Sequence, residues 1–559
     1  MTRQKTALIS VYNKTGIENF AKELISLGWK IVSSGGTRAH LEKSGIPVTD
    51  VDEITGMPAI LSHRVLTLHP KIHGGLLAEN KPEHLAELEK YDIPWIDLVC
   101  VDLYPLEDEV LKPTATTESV VEKTDMGGVA LLRSSAKGRR ITICEPKQRE
   151  EVIQWLKAGE PERENFLNDL AAYADTLVAR YSSVSAEYHS GGAYRNIFGK
   201  KKIECAYGEN AYQKPASFYD NLSGVGHPNA DPLAIHNWQL VAGSPLSYNN
   251  ICDLDRMMQT MTHIGAGFEK NLGTVPYVTI GAKHGNACGA GIGENEIETI
   301  EKMLLGDLRA IFGGLVMLNF PVDEKIAEEL IRKYAGEGRR LLDIVAAPSF
   351  SDEAIEILSR KKGKCRLLAN PGILKAGLSS LDSAKRFRYV RGGFMEQPNY
   401  TFLPSIALAK EGVPELSEEI QQDVILAWAV GSTSNSNTIT IVKDGRLYGN
   451  GVGQQDRVGA AKLAIFRADE ALQEVARQGL ATKLGGSSSK LADLEGAVAY
   501  SDSFFPFPDA PEVLINRGIK TIFTTSGSVN DEKIIELCKQ KGVNLIMFPD
   551  AEARGFYQH

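Results

Sequence analysis

The first fifty residues alternate between short apolar runs and amphipathic stretches. Residues 6–12 (TALISVY) read as a buried strand, and residues 14–28 as a helix with Ile17, Phe20, Ala21, Leu24 and Ile25 on one face. WKIVSS is a second strand, GGTRAHLEKSG a loop and short helix, and IPVTDV a third strand. Strand and helix at this spacing predict a parallel sheet covered by helices, to which IDLVCVDLYP and RRITICEP add two further strands. Helices within 146–190 close this first domain.

A polar, basic, glycine-containing stretch (189–202, HSGGAYRNIFGKKK) is the expected linker, giving domains of 1–198 and 199–559. Beyond it, YVTIGAKHGNACGAG reads as a strand running into a glycine-rich loop, and residues 298–320 as a helix followed by a strand. TITIVKDGRLYGNGVGQQ predicts a hairpin turning at Asp444-Gly445, with a helix after it. The stretch 470–495, with GGSSSK inside it, reads as a mobile surface segment. The second α/β domain is larger and open to subdivision.

Length and composition narrow this picture. The chain has 559 residues, which at roughly 150 per domain makes three or four domain-sized units. Apolar residues are 43% and charged residues 24%, enough to fill large cores and too apolar for a disordered chain. A net charge of -9 offers no bulk attraction to nucleic acid or acidic lipid. No apolar run reaches the ~18 residues of a membrane span. The seven cysteines are scattered and form no CxxC, so reduced thiols in the cytosol are expected.

Candidate chemistry gathers at strand ends. Ser33-Ser34-Gly35-Gly36-Thr37 joins a strand to a helix, and SVYNKTG places Ser10, Lys14 and Thr15 at the end of the first strand. Glycines let backbone N–H groups crowd an anion and hydroxyls add donors, so the pair suggests a phosphate pocket at the sheet's carboxyl edge. His69 and His73 are spaced like metal ligands, but Pro70 lies between them and no carboxylate or cysteine adjoins, so no metal is expected. Asp125, Arg133 and Lys137 taken alone read as a solvated helix face. Lys283-His284, at the end of an apolar strand, can carry two proton transfers, one as acid and one as base. Cys288 as a nucleophile ranks below that, because nothing nearby orients a dyad. In SDSFFPFPD, Phe504, Phe505 and Phe507 are either core or the wall of a pocket for a flat heterocycle.

In this order the motifs resemble a known family. SVYNKTG, SSGGT, TGMP, TLHPKIHGG, LYP and DMGG, then YGEN, PLSYNN, KHGNACG, FGGLVMLN, GNGVGQQDRV, SDSFFPF and SGS are similar to the bifunctional purine biosynthesis enzymes. These join IMP cyclohydrolase to phosphoribosylaminoimidazolecarboxamide (AICAR) formyltransferase. The resemblance runs from about residue 5 to the C-terminus. It implies a methylglyoxal-synthase-like N-terminal domain, a cytidine-deaminase-like α/β transformylase and a cytoplasmic homodimer. The implied co-substrate is 10-formyltetrahydrofolate, with no metal; AICAR, formyl-AICAR and IMP are the small-molecule partners.

Carried over residue by residue, the resemblance makes His284 the proton acceptor from the AICAR amine, Lys283 the acid to the departing folate nitrogen, and Asn437 the holder of the carboxamide and formyl oxygen. Tyr207, Asn250, Phe312, Gly313, Arg457 and Phe504 become nucleotide contacts, with Pro506 and Asp509 on the folate side. In the cyclohydrolase it assigns Ser10, Lys14, Ser34, Gly36, Thr37, Arg64 and Thr67 to phosphate and ribose, and Tyr104, Asp125 and Lys137 to the reacting groups.

The chain also departs from the pattern. Leu66 stands where the family has lysine, Asp102 where it has asparagine, Ala206 and Pro508 where it has arginine, and Tyr212 where it has histidine. Leucine cannot donate to an oxyanion. Two further readings therefore stand beside the bifunctional one: a member retaining only formyl transfer, and a non-catalytic binder of purine intermediates. The intact Lys283-His284 pair favours an enzyme.

Overall fold

The computed structural model describes residues 3–61, 64–221, 231–406, 416–478 and 493–557. The chain divides into two compact units, Met1–Phe198 and Gly199–His559.

The first unit is a five-stranded, wholly parallel sheet. Its strands are β1 (Thr6–Val11), β2 (Lys30–Ser33), β3 (Thr49–Asp50), β4 (Leu98–Asp102) and β5 (Ile141–Ile143), in the order β3-β2-β1-β4-β5. The order reverses direction between β1 and β4, which opens a crevice above their carboxyl ends. Buried side chains from both faces of the sheet form two apolar clusters, one containing Ile9, Phe20, Leu24 and Trp155, the other Leu8, Val99, Leu131 and Val178. The helix Ile17–Ser26 buries the predicted face at Ile17, Phe20, Ala21 and Leu24. The third strand is shorter than its sequence suggests, because Asp50 caps the helix Val51–Thr55 with its carboxylate. Pro70 begins a helix, Pro70–Leu77, where its missing N–H costs nothing.

The second unit is built on an eleven-stranded mixed sheet. Its strands are β8 (Gln239–Ala242), β9 (Tyr277–Lys283), β10 (Asn286–Gly293), β11 (Leu315–Leu318), β12 (Ile344–Ala347), β13 (Arg366–Ala369), β16 (Ile439–Lys443), β17 (Arg446–Gly451), β18 (Val498–Ser501), β19 (Thr521–Ser526) and β20 (Asn544–Pro549). They run in the order β20-β19-β18-β16-β17-β10-β9-β11-β12-β13-β8. Two small hairpins, β6 (Gly199–Cys205) with β7 (Ala216–Asn221) and β14 (Lys385–Val390) with β15 (Gly393–Pro398), lie outside it. The expected linker is thus partly strand, since residues 199–201 pair with β7. The helices Tyr248–Leu272 and Glu418–Ser432 are buried along most of their length in the largest core cluster, with Phe268 and Trp428 inside it.

The glycine-rich segment after His284 is a strand, not a loop. A Cβ on Gly289 would stand 2.1 Å from the Met303 carbonyl oxygen, and one on Gly291 2.3 Å from that of Thr299. The glycines therefore let the helix Glu296–Gly306 lie directly on the strand. The hairpin at Asp444-Gly445 forms as read, with both residues at positive φ. Of the stretch 470–495, residues to 477 continue the helix Arg457–Arg477, while 479–492 lie outside the described residues.

Asp423 closes that hairpin from below, accepting from the backbone N–H groups of Asp444 (2.9 Å) and Gly445 (2.7 Å). Burial pushes its carboxyl up to about 7 against the two hydrogen bonds, which oppose the shift. The native state therefore holds a proton between about pH 4 and 7 that the unfolded chain releases. This contribution to stability is present below about pH 4 and is lost as pH rises towards 7. Asp423→Asn should accordingly gain stability relative to the parent as pH goes from 5 to 8, by up to about 3 kcal/mol. Paired urea melts at the two pH values check it; an unchanged difference would refute the shift.

Candidate active sites

In the first unit the crevice above β1, β2 and β4 collects the predicted phosphate residues. Ser34 caps the helix Gly35–Lys43, and its side chain makes no capping bond. Lys14 reaches over this end: a Cβ on Gly36 would lie 3.8 Å from its Nζ, which also donates to the carbonyls of Val11 and Tyr12. Thr37 is spent on structure, accepting from the Val11 N–H at 3.1 Å and donating to its carbonyl at 3.0 Å. Ser10 lies at the end of β1, half-buried. An ammonium, a hydroxyl and helix N-terminal amides converge here, as an anion requires.

Asp125 stands beside this crevice, just before the helix Gly127–Lys137. Its carboxylate accepts from Gly128 N–H at 2.7 Å, and burial raises its pKa. Gly128 is required, since a Cβ there would meet Asp125 Oδ2 at 2.7 Å and Leu103 Cδ2 at 2.8 Å. Thr67 is buried, its hydroxyl 3.0 Å from where a Cβ on Gly127 would sit. Tyr104 is exposed, edge-on to Tyr12 at 5.7 Å; burial of its hydroxyl and the nearby Asp125 charge raise its pKa. Leu66 joins the apolar cluster under the site.

One predicted residue, Lys137, lies apart from this group. Lys137 is the last residue of the helix Gly127–Lys137, ten residues after its first and ~15 Å along its axis at 1.5 Å per residue. It sits near the amino end of β5, on the far edge of the sheet from Ser34. Arg64 is exposed and ion-paired with Glu122. His69 and His73 have separate duties: His69 caps its helix by accepting from Lys71 N–H, and His73 Nδ1 meets Ser134 Oγ at 2.8 Å.

In the second unit, alternating strand direction brings distant segments to one edge. The ends of β9, β17 and β18 and the starts of β10, β11 and β16 all lie there, because Ala282 pairs with Leu315 and Ile439 pairs with both Gly451 and Ser501. Lys283, His284, Phe312, Gly313, Asn437, Arg457 and Phe504 belong to these strand ends and the turns beyond them. From β18 to β11 the row spans five strand spacings, or ~24 Å.

His284 and Gly285 form the β9–β10 turn at φ 53° and 71°, a two-residue hairpin that holds the imidazole out into solvent. Lys283 Nζ donates to the Phe312 carbonyl at 2.7 Å, and Phe312 itself is half exposed. Asn437 Nδ2 donates to the Gln454 carbonyl at 2.9 Å. Arg457 is committed to Asp502 and Ser501. Asn250 takes part in a capping box with Ser247, so SYNN starts the helix Tyr248–Leu272. Tyr207 is partly exposed, and its carbonyl accepts from Tyr248 N–H. Phe505 is buried while Phe504 is partly exposed and Phe507 exposed, so the run is both core and wall. Pro506 and Asp509 are exposed beside it, and Asn530 Nδ2 holds the Pro506 carbonyl at 2.7 Å. Cys288 is no nucleophile: burial pushes its thiol up to about 12, and it donates to the Gly281 carbonyl.

The supports of the His284-Gly285 turn carry no sequence motif. Asp253 accepts from Gly285 N–H, and its charge faces His284; burial raises its pKa. Arg256 donates to Asn286 Oδ1 (3.2 Å) and Asn435 Oδ1 (2.5 Å), and Asn286 Nδ2 donates to the His284 carbonyl (3.1 Å). The Tyr557 ring lies between the guanidinium groups of Arg256 and Arg386, at 4.4 and 3.7 Å, and its hydroxyl bonds Asp255. Polar residues recurring on the helix Tyr248–Leu272 were the one available signal.

Comparison with known proteins identifies the family. The family model described as AICARFT/IMPCHase bienzyme matches residues 137–467, and the model described as MGS-like domain matches residues 16–130. A protein of Bacillus cytotoxicus named "Bifunctional purine biosynthesis protein PurH" is 34% identical over 558 residues, covering 97% of this chain and 98% of its own. Relatives of the same name from Anoxybacillus flavithermus and Staphylococcus aureus strain Newman are 34% and 32% identical at the same coverage. The chain thus belongs to the AICARFT/IMPCHase bienzyme family, a membership carried by nearly its whole length.

Proposed function

We propose that the chain performs the family's two reactions at the two sites described, formyl transfer in Gly199–His559 and ring closure in Met1–Phe198. In the first, the AICAR amine attacks the formyl carbon of 10-formyltetrahydrofolate. His284 takes the amine proton and Lys283 returns one to the folate nitrogen, leaving formyl-AICAR and tetrahydrofolate. In the second, the carboxamide nitrogen attacks the formyl carbon and water leaves, giving IMP. Lys14, Ser34 and Gly36 hold the phosphate, and Asp125 with Tyr104 handles the protons, with no lysine at position 66.

The observation that carries this reading is the Lys283-His284 turn, an acid and a base side by side at an exposed edge where six strand ends meet. Such a pair has no use in a passive binder. The ~24 Å row has room for two ligands side by side. Arg64 and Arg457, now paired to Glu122 and Asp502, exchange those partners for substrate in this reading.

A second copy of the chain completes the assembly. The β14–β15 hairpin exposes Tyr389, Phe394 and Met395, and an isolated two-stranded hairpin is marginal in water without a surface to pack on. Seven free cysteines suit the cytoplasm, and among the described residues no helix is long and apolar enough to cross a membrane. The purified protein should scatter light as a dimer. Given AICAR and 10-formyltetrahydrofolate it should release tetrahydrofolate and IMP; given formyl-AICAR alone, IMP. Folate release without closure would restrict the chain to formyl transfer, and no turnover would leave a binding protein.

A further inference from the structure

Asp102 ends β4 opposite Val11, the last residue of β1. Its carboxylate meets the turn that follows β1. Oδ2 accepts from Asn13 N–H at 2.9 Å and lies 3.8 Å from Arg149 NH2. Arg149, its side chain only 7% exposed, donates to the Thr15 carbonyl at 2.9 Å and to the Asn13 carbonyl at 3.4 Å. Three contacts from two buried charges therefore hold a turn of four residues, and Lys14 is the middle of it. The far side of that turn is fixed by Thr37, which clasps both backbone groups of Val11.

The pair is poorly arranged for stability alone. Asp102 Oδ1 and Arg149 Nε are buried without a hydrogen-bond partner, and a buried ion pair with unsatisfied atoms gains little over an apolar pair. What it does achieve is geometric. The guanidinium reaches two carbonyls of the turn and stands 3.8 Å from the carboxylate, so the height of Lys14 above Gly36 is set by a forked side chain rather than by the loop alone.

We propose that Asp102 and Arg149 form a clamp that positions the 12–15 turn, and through it Lys14, against the substrate's phosphate. Both are positioning residues, and Asp102 is thereby assigned to the turn rather than to the reacting amide. The inference rests on the reading that Lys14 and the 34–37 end bind phosphate.

The test uses full-length protein carrying Asp102→Asn, Arg149→Gln, Arg149→Lys or the Asp102→Asn/Arg149→Gln pair. Ring closure of formyl-AICAR gives KM and kcat, and calorimetry gives the Kd for IMP. Each neutral single variant should raise KM and Kd about tenfold with kcat within about twofold. The double variant should be no worse than the more severe single one, because the two act as one unit. Arg149→Lys, which keeps the charge and loses the fork, should fall between. Formyl transfer should be untouched throughout, which also reports folding; Asp102→Asn is nearly isosteric should the arginine variants unfold.

Unchanged KM and Kd would overturn the clamp, as would additive losses. A fall in kcat with KM unchanged would place Asp102 on the reacting groups instead and overturn it as well. A parent protein that binds IMP through an Asp102-dependent affinity yet never closes formyl-AICAR would refute the cyclohydrolase and leave the clamp standing. A parent that does not bind IMP would refute both.

Discussion

Replacing His284 or Lys283 with alanine should lower formyl transfer about a thousandfold, the scale of a lost general acid or base, while ring closure from formyl-AICAR continues at the parent rate. An aromatic amine is a weak nucleophile, so its proton must leave as the new bond forms. The imidazole is placed for this at the tip of a two-residue turn with φ of 53°, held by Asn286 and Asp253. Lys283 is placed by its bond to the Phe312 carbonyl, which it can exchange for a folate nitrogen at small cost. Stopped assays of tetrahydrofolate release against IMP formation separate the two steps. Equal loss of both activities would mean the variants disturb folding. No loss of formyl transfer would remove the pair from the mechanism.

Asp125→Asn should lower the kcat of ring closure by about a hundred- to a thousandfold and spare formyl transfer. The amide oxygen can still accept from Gly128 N–H, so the helix start is preserved and only the proton chemistry goes. Burial raises the Asp125 pKa against the backbone bonds from Gly128 and Tyr104 that oppose it. Acting as a base, the carboxylate must be ionised. The closure rate should therefore fall as pH drops through a value above that of an ordinary carboxylate, and this limb should vanish in the variant. A pH profile of kcat for both proteins decides it. An acid limb that survives in Asp125→Asn belongs to another group, the nearest being Asp102, whose pKa burial also raises.

How much of this was written in the sequence depends on the range over which each feature is encoded. The alternation of β1, the helix Ile17–Ser26 and β2 was legible because each element buries a face set by its own periodicity. The Asp444-Gly445 hairpin was legible because only such residues adopt that turn cheaply. The Lys283-His284 pair and the Ser34–Thr37 end announced themselves as chemistry beside a strand. Ordered motifs then supplied expected roles, by resemblance, for residues whose spacing alone said nothing, such as Asn437 and Thr67.

The sheet decided the rest. Glycines 289 and 291 read as a loop because their reason, a helix backbone two ångströms from where a Cβ would be, lies elsewhere in the chain. Lys137 reads as a neighbour of Asp125 along the chain, yet the helix between them carries it to the opposite edge. Asp253, Arg256, Asn435 and Tyr557 are spread over three hundred residues and converge on one turn only because strands of alternating direction end at one edge. Local pattern fixes which segments are strands and helices, since burial of a face is a local demand. Strand order and direction fix which ends meet, and that is settled by packing across the whole sheet.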